Sequence, residues 1–64
     1  MIKHKVLKEG EIFSSTKQGY HFYDNFTNSQ DAESYAKFAE KAMKTDMLII
    51  GNKNGTNYSV WAKI

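Results

Sequence analysis

The sequence predicts a small α+β domain of two layers in the order β-β-α-β-β, an antiparallel sheet with one amphipathic helix packed on one face. Three observations predict it. Residues 32–43 repeat small and apolar side chains at three- and four-residue spacing. Two apolar stretches near the end flank Asn54-Gly55, and a β-branched and aromatic stretch precedes Gly19. A chain of 64 residues has room for one core and so for one domain, at a size where roughly 60% of the unfolded surface can be buried.

The first stretch, Ile2 to Thr16, reads as one long strand bent at Glu9-Gly10-Glu11, where a glycine suits a bulge. Lys17-Gln18-Gly19 then reads as a hairpin loop with glycine at the position needing positive φ, and Tyr20-His21-Phe22-Tyr23 as the returning strand. In that pairing Phe13 and Tyr23 share one side while Tyr20 and Phe22 share the other. Which side faces the helix, and the order of strands in the sheet, are left open.

Asn28 is a suitable helix N-cap, with Asp31 three residues on to reach back to it and to favour the positive helix end. The helix is predicted from about Ser29 to Lys44. Ala32, Tyr35, Ala36, Ala39 and Met43 form its apolar stripe, Phe38 sits at the edge, and Glu33, Lys37, Glu40, Lys41 and Lys44 face away.

Asn54-Gly55 between Met47–Gly51 and Thr56–Trp61 is a strong hairpin signal, and a two-residue turn there fixes the register. Counting outward from Lys53 opposite Thr56, Gly51 faces Tyr58, Ile49 faces Val60 and Met47 faces Ala62 on one side. That side is apolar and belongs under the helix. On the other, Asp46 faces Lys63, Leu48 faces Trp61, Ile50 faces Ser59 and Asn52 faces Asn57.

A lone helix covers one sheet face, so the second face is expected to stay open, with Trp61, Leu48 and Ile50 as an apolar cluster bordered by Asp46, Asn52, Asn57 and Lys63. The expected contact face is that cluster together with Lys63, Asn57 and Ser59. A tryptophan in such a setting has the character of a protein-contact hot spot. The competing reading has the amino-terminal strand folding over Trp61, which makes the cluster a second, minor core.

Composition narrows the remaining classes. No cysteine is present, so disulfides, thiolate nucleophiles and thiolate metal ligands are excluded. All nine basic residues are lysine, which counts against base-specific nucleic-acid reading by forked arginine contacts. Weak backbone binding by lysines with strand aromatics stays open as an alternative. The charged start and the lack of a long apolar run predict a cytoplasmic protein without a membrane span.

His4 and His21 lack the neighbours of a metal or catalytic motif. His21, Ser15 and Asp24 can be drawn as a triad, but adjacent strand residues point to opposite faces and an open sheet offers no oxyanion pocket. Gly51-Asn52-Lys53-Asn54-Gly55-Thr56 lacks the ending of a phosphate loop and is followed by a strand, so a turn explains it. Asn25, Asn54 and Asn57 each begin a glycosylation triplet, with nothing to direct the chain to a secretory compartment.

In layout alone, a first hairpin, an alanine-rich helix and a terminal hairpin are similar to several small phage-encoded inhibitors, including certain anti-CRISPR proteins and inhibitors of host RNA polymerase. That layout is shared by many unrelated proteins and carries no functional residue across. The expectation is a non-catalytic protein-binding module without cofactor or metal, an inhibitor or accessory factor from a phage or mobile element acting on a host complex. Homodimerisation through the same face is the close variant.

Overall fold

In the computed structural model residues 2–8 and 19–63 are described. They form strand β1 (Ile2–Val6), strand β2 (Tyr20–Phe26), helix α1 (Ser29–Met43), strand β3 (Met47–Gly51) and strand β4 (Tyr58–Lys63). The sheet order is β1-β3-β4-β2, with α1 lying chiefly over the two central strands. The β-β-α-β-β order and the α+β class are those the sequence predicts.

The expectation of a wholly antiparallel sheet is corrected. β1 runs parallel to β3, with Ile2 beside Met47 and Val6 beside Gly51, while β2 pairs antiparallel with β4. β1 and β2 therefore stand at opposite sides of the sheet, and the residues expected to pair with β2 across the first hairpin, Phe13 to Thr16, lie outside the described residues. The physical reason is that β3, Met-Leu-Ile-Ile-Gly, is buried along its whole length and needs a strand on each side. The predicted long strand is described only to Lys8, with Leu7 N–H still donating to Gly51 O at 2.9 Å. Its bend at residues 9–11 and the loop residues Lys17 and Gln18 lie outside the described residues, whereas Gly19 has the expected positive φ of 78°.

β2 extends three residues beyond the predicted Tyr23, through a bulge there. His21 lies opposite Ala62 and Phe22 opposite Trp61, but Asp24 lies opposite Val60, so one residue is extra. The extra residue inverts the alternation. Tyr20 and Phe26 are an even number apart, yet Tyr20 joins the cluster beneath the sheet while Phe26 packs on the helix side against Tyr35, ring centroids 5.3 Å apart.

The helix start is built as predicted. Asn28 accepts from Asp31 N–H at 2.8 Å and donates from its side-chain amide to the Asp31 carboxylate at 2.9 Å. Ala32, Ala36 and Ala39 are buried, and their small size brings the helix close to Met47, Ile49, Val60 and Ala62. Met47, Ile49 and Val60 are the largest fully buried side chains, each contributing about 1.5–3 kcal/mol from burial. Met43, expected in that stripe, is largely open.

The terminal hairpin keeps the predicted register through a different turn. Met47 pairs with Ala62, Ile49 with Val60, Leu48 with Trp61 and Gly51 with Tyr58, whose ring lies over the missing glycine side chain. A two-residue turn of the type Asn54-Gly55 favours needs positive φ at both, and only Gly55 has it, at 68°. Instead Gly55 N–H donates to Asn52 O, and the Asn52 side chain collects the N–H groups of Thr56 and Asn57. The four-residue loop preserves the pairing because it adds one residue to each side of the turn.

The open second face is also corrected. Leu48 and Ile50 are only 6% and 4% exposed and form a second cluster with Tyr20, with Leu7 and Trp61 packed against it. The competing reading, a minor core, is the better description. Leu7 reaches this face because the chain continues alongside β3 past the end of β1.

Candidate protein-contact surface

The six residues singled out from the sequence do not form one open patch. Leu48 and Ile50 are interior. Trp61 is half-buried, edge-on to Phe22 at 5.3 Å between ring centroids, and its indole N–H donates to Ser59 Oγ at 2.9 Å. The Ser59 hydroxyl in turn donates to Ile50 O. Asn57 is used in the turn, and Lys63 lies with its ammonium 5.9 Å from the centre of the Tyr20 ring. Of the six, only Lys63 lines the groove described next, and its ammonium lies on the other face of the sheet beside Tyr20.

That surface follows from where α1 sits. Side chains three and four apart share a helix flank, so Tyr35, Phe38 and Ala42 lie on one side of the buried alanines and Glu33 and Glu40 on the other. Two contacts orient these flanks. Tyr35 meets Phe26 of β2, and Glu33 lies 3.6 Å from His4 of β1. The apolar flank thus faces the β2 side and the acidic flank faces the β1 side.

Among the described residues, the large apolar side chains most open to solvent are Phe38 at 73%, Val6 at 65%, Phe22 at 48%, and Tyr23 and Met43 at 41% each. All but Val6 lie on the β2 side. The bulge at Tyr23 and the end of α1 at Met43 border a groove of about 690 Å³, lined by His21, Phe22, Tyr23, Met43, Lys44, Thr45, Ala62 and Lys63, with Phe38 outside it on the helix. The helix stops before covering this part of the sheet, which is why the groove exists.

Lys44 shapes its rim. It closes the helix in the left-handed conformation, φ 53° and ψ 45°, with its N–H donating to Glu40 O at 2.8 Å. Helices commonly give that position to glycine, because a side chain there is strained. The lysine brings a cation to the groove and balances the negative helix end.

Strand addition along β2 is obstructed. The bulge breaks the regular spacing of the strand, and Asn25 N–H is taken by the neighbouring Asp24 carboxylate at 2.8 Å. This strand therefore presents side chains rather than a regular backbone ladder. The sequence held the components, Phe22, Tyr23, Phe38 and Met43, but only the apolar flank of the helix was visible in it, as Phe38 at the stripe's edge. Among the described residues no group of three His, Asp or Glu side chains converges as a metal site, and no helix is long and apolar enough to cross a membrane. Neither family models, nor curated proteins, nor solved structures yield a match to this chain.

Proposed function

We propose that this protein is a non-catalytic binding module of the cytoplasm whose contact surface for another protein is the β2 side, centred on Phe22, Tyr23, Phe38 and Met43. The single observation that carries the reading is the one-sided placement of exposed apolar groups. Scattered exposed apolar residues are ordinary, but a concentrated apolar surface with a polar border marks a place where something docks. Lys44, Thr45 and His21 supply that border.

The surface replaces the Trp61-centred face as the contact site and keeps Trp61 as its support, because Phe22 stands against the indole. Aromatic anchors with a polar rim are the usual composition of a protein interface core. The role this reading favours is that of an inhibitor or accessory factor of a larger assembly.

The test compares the protein with a Phe22→Asp/Phe38→Asp variant in affinity capture from cells that express it. Phe38 is exposed and Phe22 is about half covered by Trp61, so circular dichroism establishes that the double variant is folded and Phe38→Asp alone is captured beside it. Loss of the captured partners is expected, corresponding to at least about 2 kcal/mol of hot-spot energy. A folded variant that keeps all its partners would sink the reading.

A further inference from the structure

We propose that Asn54 is a site of spontaneous covalent modification, converted through a cyclic imide with Gly55 to aspartate and isoaspartate. The loop between β3 and β4 supplies what the reaction needs. The Gly55 nitrogen bonds to Asn54 Cγ, the bond from Cγ to the side-chain nitrogen breaks, and that nitrogen leaves as ammonia with the proton Gly55 gives up. Water then opens the five-membered ring. Opening at Cγ yields aspartate, whereas opening at the main-chain carbonyl yields isoaspartate, whose backbone runs through its own Cβ and Cγ.

The structure separates Asn54 from the other asparagines. The Asn28 side chain is fixed at the start of α1, accepting from Asp31 N–H and donating to the Asp31 carboxylate. Asn52 is held by more bonds, accepting from the N–H groups of Thr56 and Asn57 and donating to Thr56 Oγ. Asn25 and Asn57 precede Phe26 and Tyr58, bulky residues paired within the sheet, so the nitrogen to be attacked is crowded. Asn54 is exposed, and among the described residues its side chain makes no hydrogen bond.

Gly55 is the receptive neighbour. It holds φ 68° in an exposed position, where a first side-chain carbon would meet only the Tyr58 hydroxyl at 3.4 Å. Its N–H donates to Asn52 O at 3.2 Å, the long end of the range for such a bond. One weak, solvent-exposed bond therefore restrains the attacking nitrogen, and bonds of that kind are the first to open in a folded protein.

The product alters the loop and spares the groove. A new carboxylate lowers the net charge of +2 by one, and isoaspartate lengthens the backbone inside the turn that Asn52 and Gly55 close. The groove lies at the opposite end of the β3–β4 pair, beside Thr45, Ala62 and Lys63.

The experiment holds the full chain at neutral and at mildly alkaline pH and samples it by mass spectrometry, with fragmentation that distinguishes isoaspartate from aspartate. A gain of one mass unit is expected at residue 54, at least about tenfold faster than at Asn25, Asn28, Asn52 or Asn57, and faster at the higher pH. In isotope-labelled protein the side-chain amide signals of Asn54 should fade and the backbone amides of Asn52, Gly55 and Thr56 should shift, while those of His21 and Lys63 stay in place. Asn54→Gln, at an exposed position, should keep the melting temperature and abolish the early mass gain.

The same chain unfolded in guanidinium separates the loop's contribution from that of the dipeptide. Conversion of residue 54 in the unfolded chain with none in the folded protein would mean that the fold protects it, and the proposal is overturned. Earlier conversion at another asparagine, or an undiminished mass gain in Asn54→Gln, removes the assignment to this residue. Aspartate formed without isoaspartate rules out the cyclic imide.

Discussion

The two sides of this sheet are built from opposite materials. The β1 side presents Lys3, His4 and Lys5 on the strand, with Glu33 of the helix beside His4, and Val6 is its one strongly exposed large apolar group among the described residues. The β2 side presents Phe22 and Tyr23 on the strand and Phe38 and Met43 on the helix. Both border the same core, so neither composition is forced by packing. Charged residues on an outer strand discourage association, and exposed aromatics invite it. The contrast teaches that, on the proposed reading, what matters is which side is left apolar, not how much apolar surface there is.

The comparison holds only if both sides hang from one core, and the largest expected effect tests that. Ile49 lies between His4 of β1 and Val60 of β4 and is almost fully buried. Ile49→Ala should cost about 2–5 kcal/mol in urea denaturation and loosen both sides together. If hydrogen exchange rose on one side alone, the sides would be independent units and the contrast would lose its basis.

A smaller effect is expected from Phe22→Ala, which removes the edge-on partner of Trp61. Its cost should be about 1–2 kcal/mol, and the emission of the single tryptophan should move to longer wavelength as the indole meets water. An unchanged spectrum would mean that Phe22 does not shield Trp61, and the β2 surface would lose its support. The smallest effect belongs to the other side. His4→Ala breaks only an exposed pair with Glu33 and should change stability by less than about 0.5 kcal/mol, read from the same denaturation midpoints.

What was legible in the sequence was local. The Asn28 cap acts over three residues, and the register of the last hairpin is set by counting across one loop, so both could be read directly. The parallel pairing of Ile2 with Met47 joins distant parts of the chain, and no local pattern encodes it. Nothing in Phe22-Tyr23-Asp24 announces a bulge, so the move of Phe26 to the helix side was hidden. The candidate site suffered most from this. Inferring an open face around Leu48 and Ile50 required knowing what packs on it, and Leu7 gets there only because β1 lies next to β3. The apolar flank of the helix was readable, but its pointing towards β2 depended on Phe26 meeting Tyr35.

The central claim, that the β2 side is where this protein meets its partner, is tested most directly by site-specific photo-cross-linking in living cells. A photoreactive phenylalanine analogue is placed at Phe38 in one sample and at Val6 in the other, the most exposed apolar positions of the two sides among the described residues. The account predicts a discrete cross-linked protein from position 38 and none from position 6. A discrete adduct from position 6 with none from position 38 would contradict it.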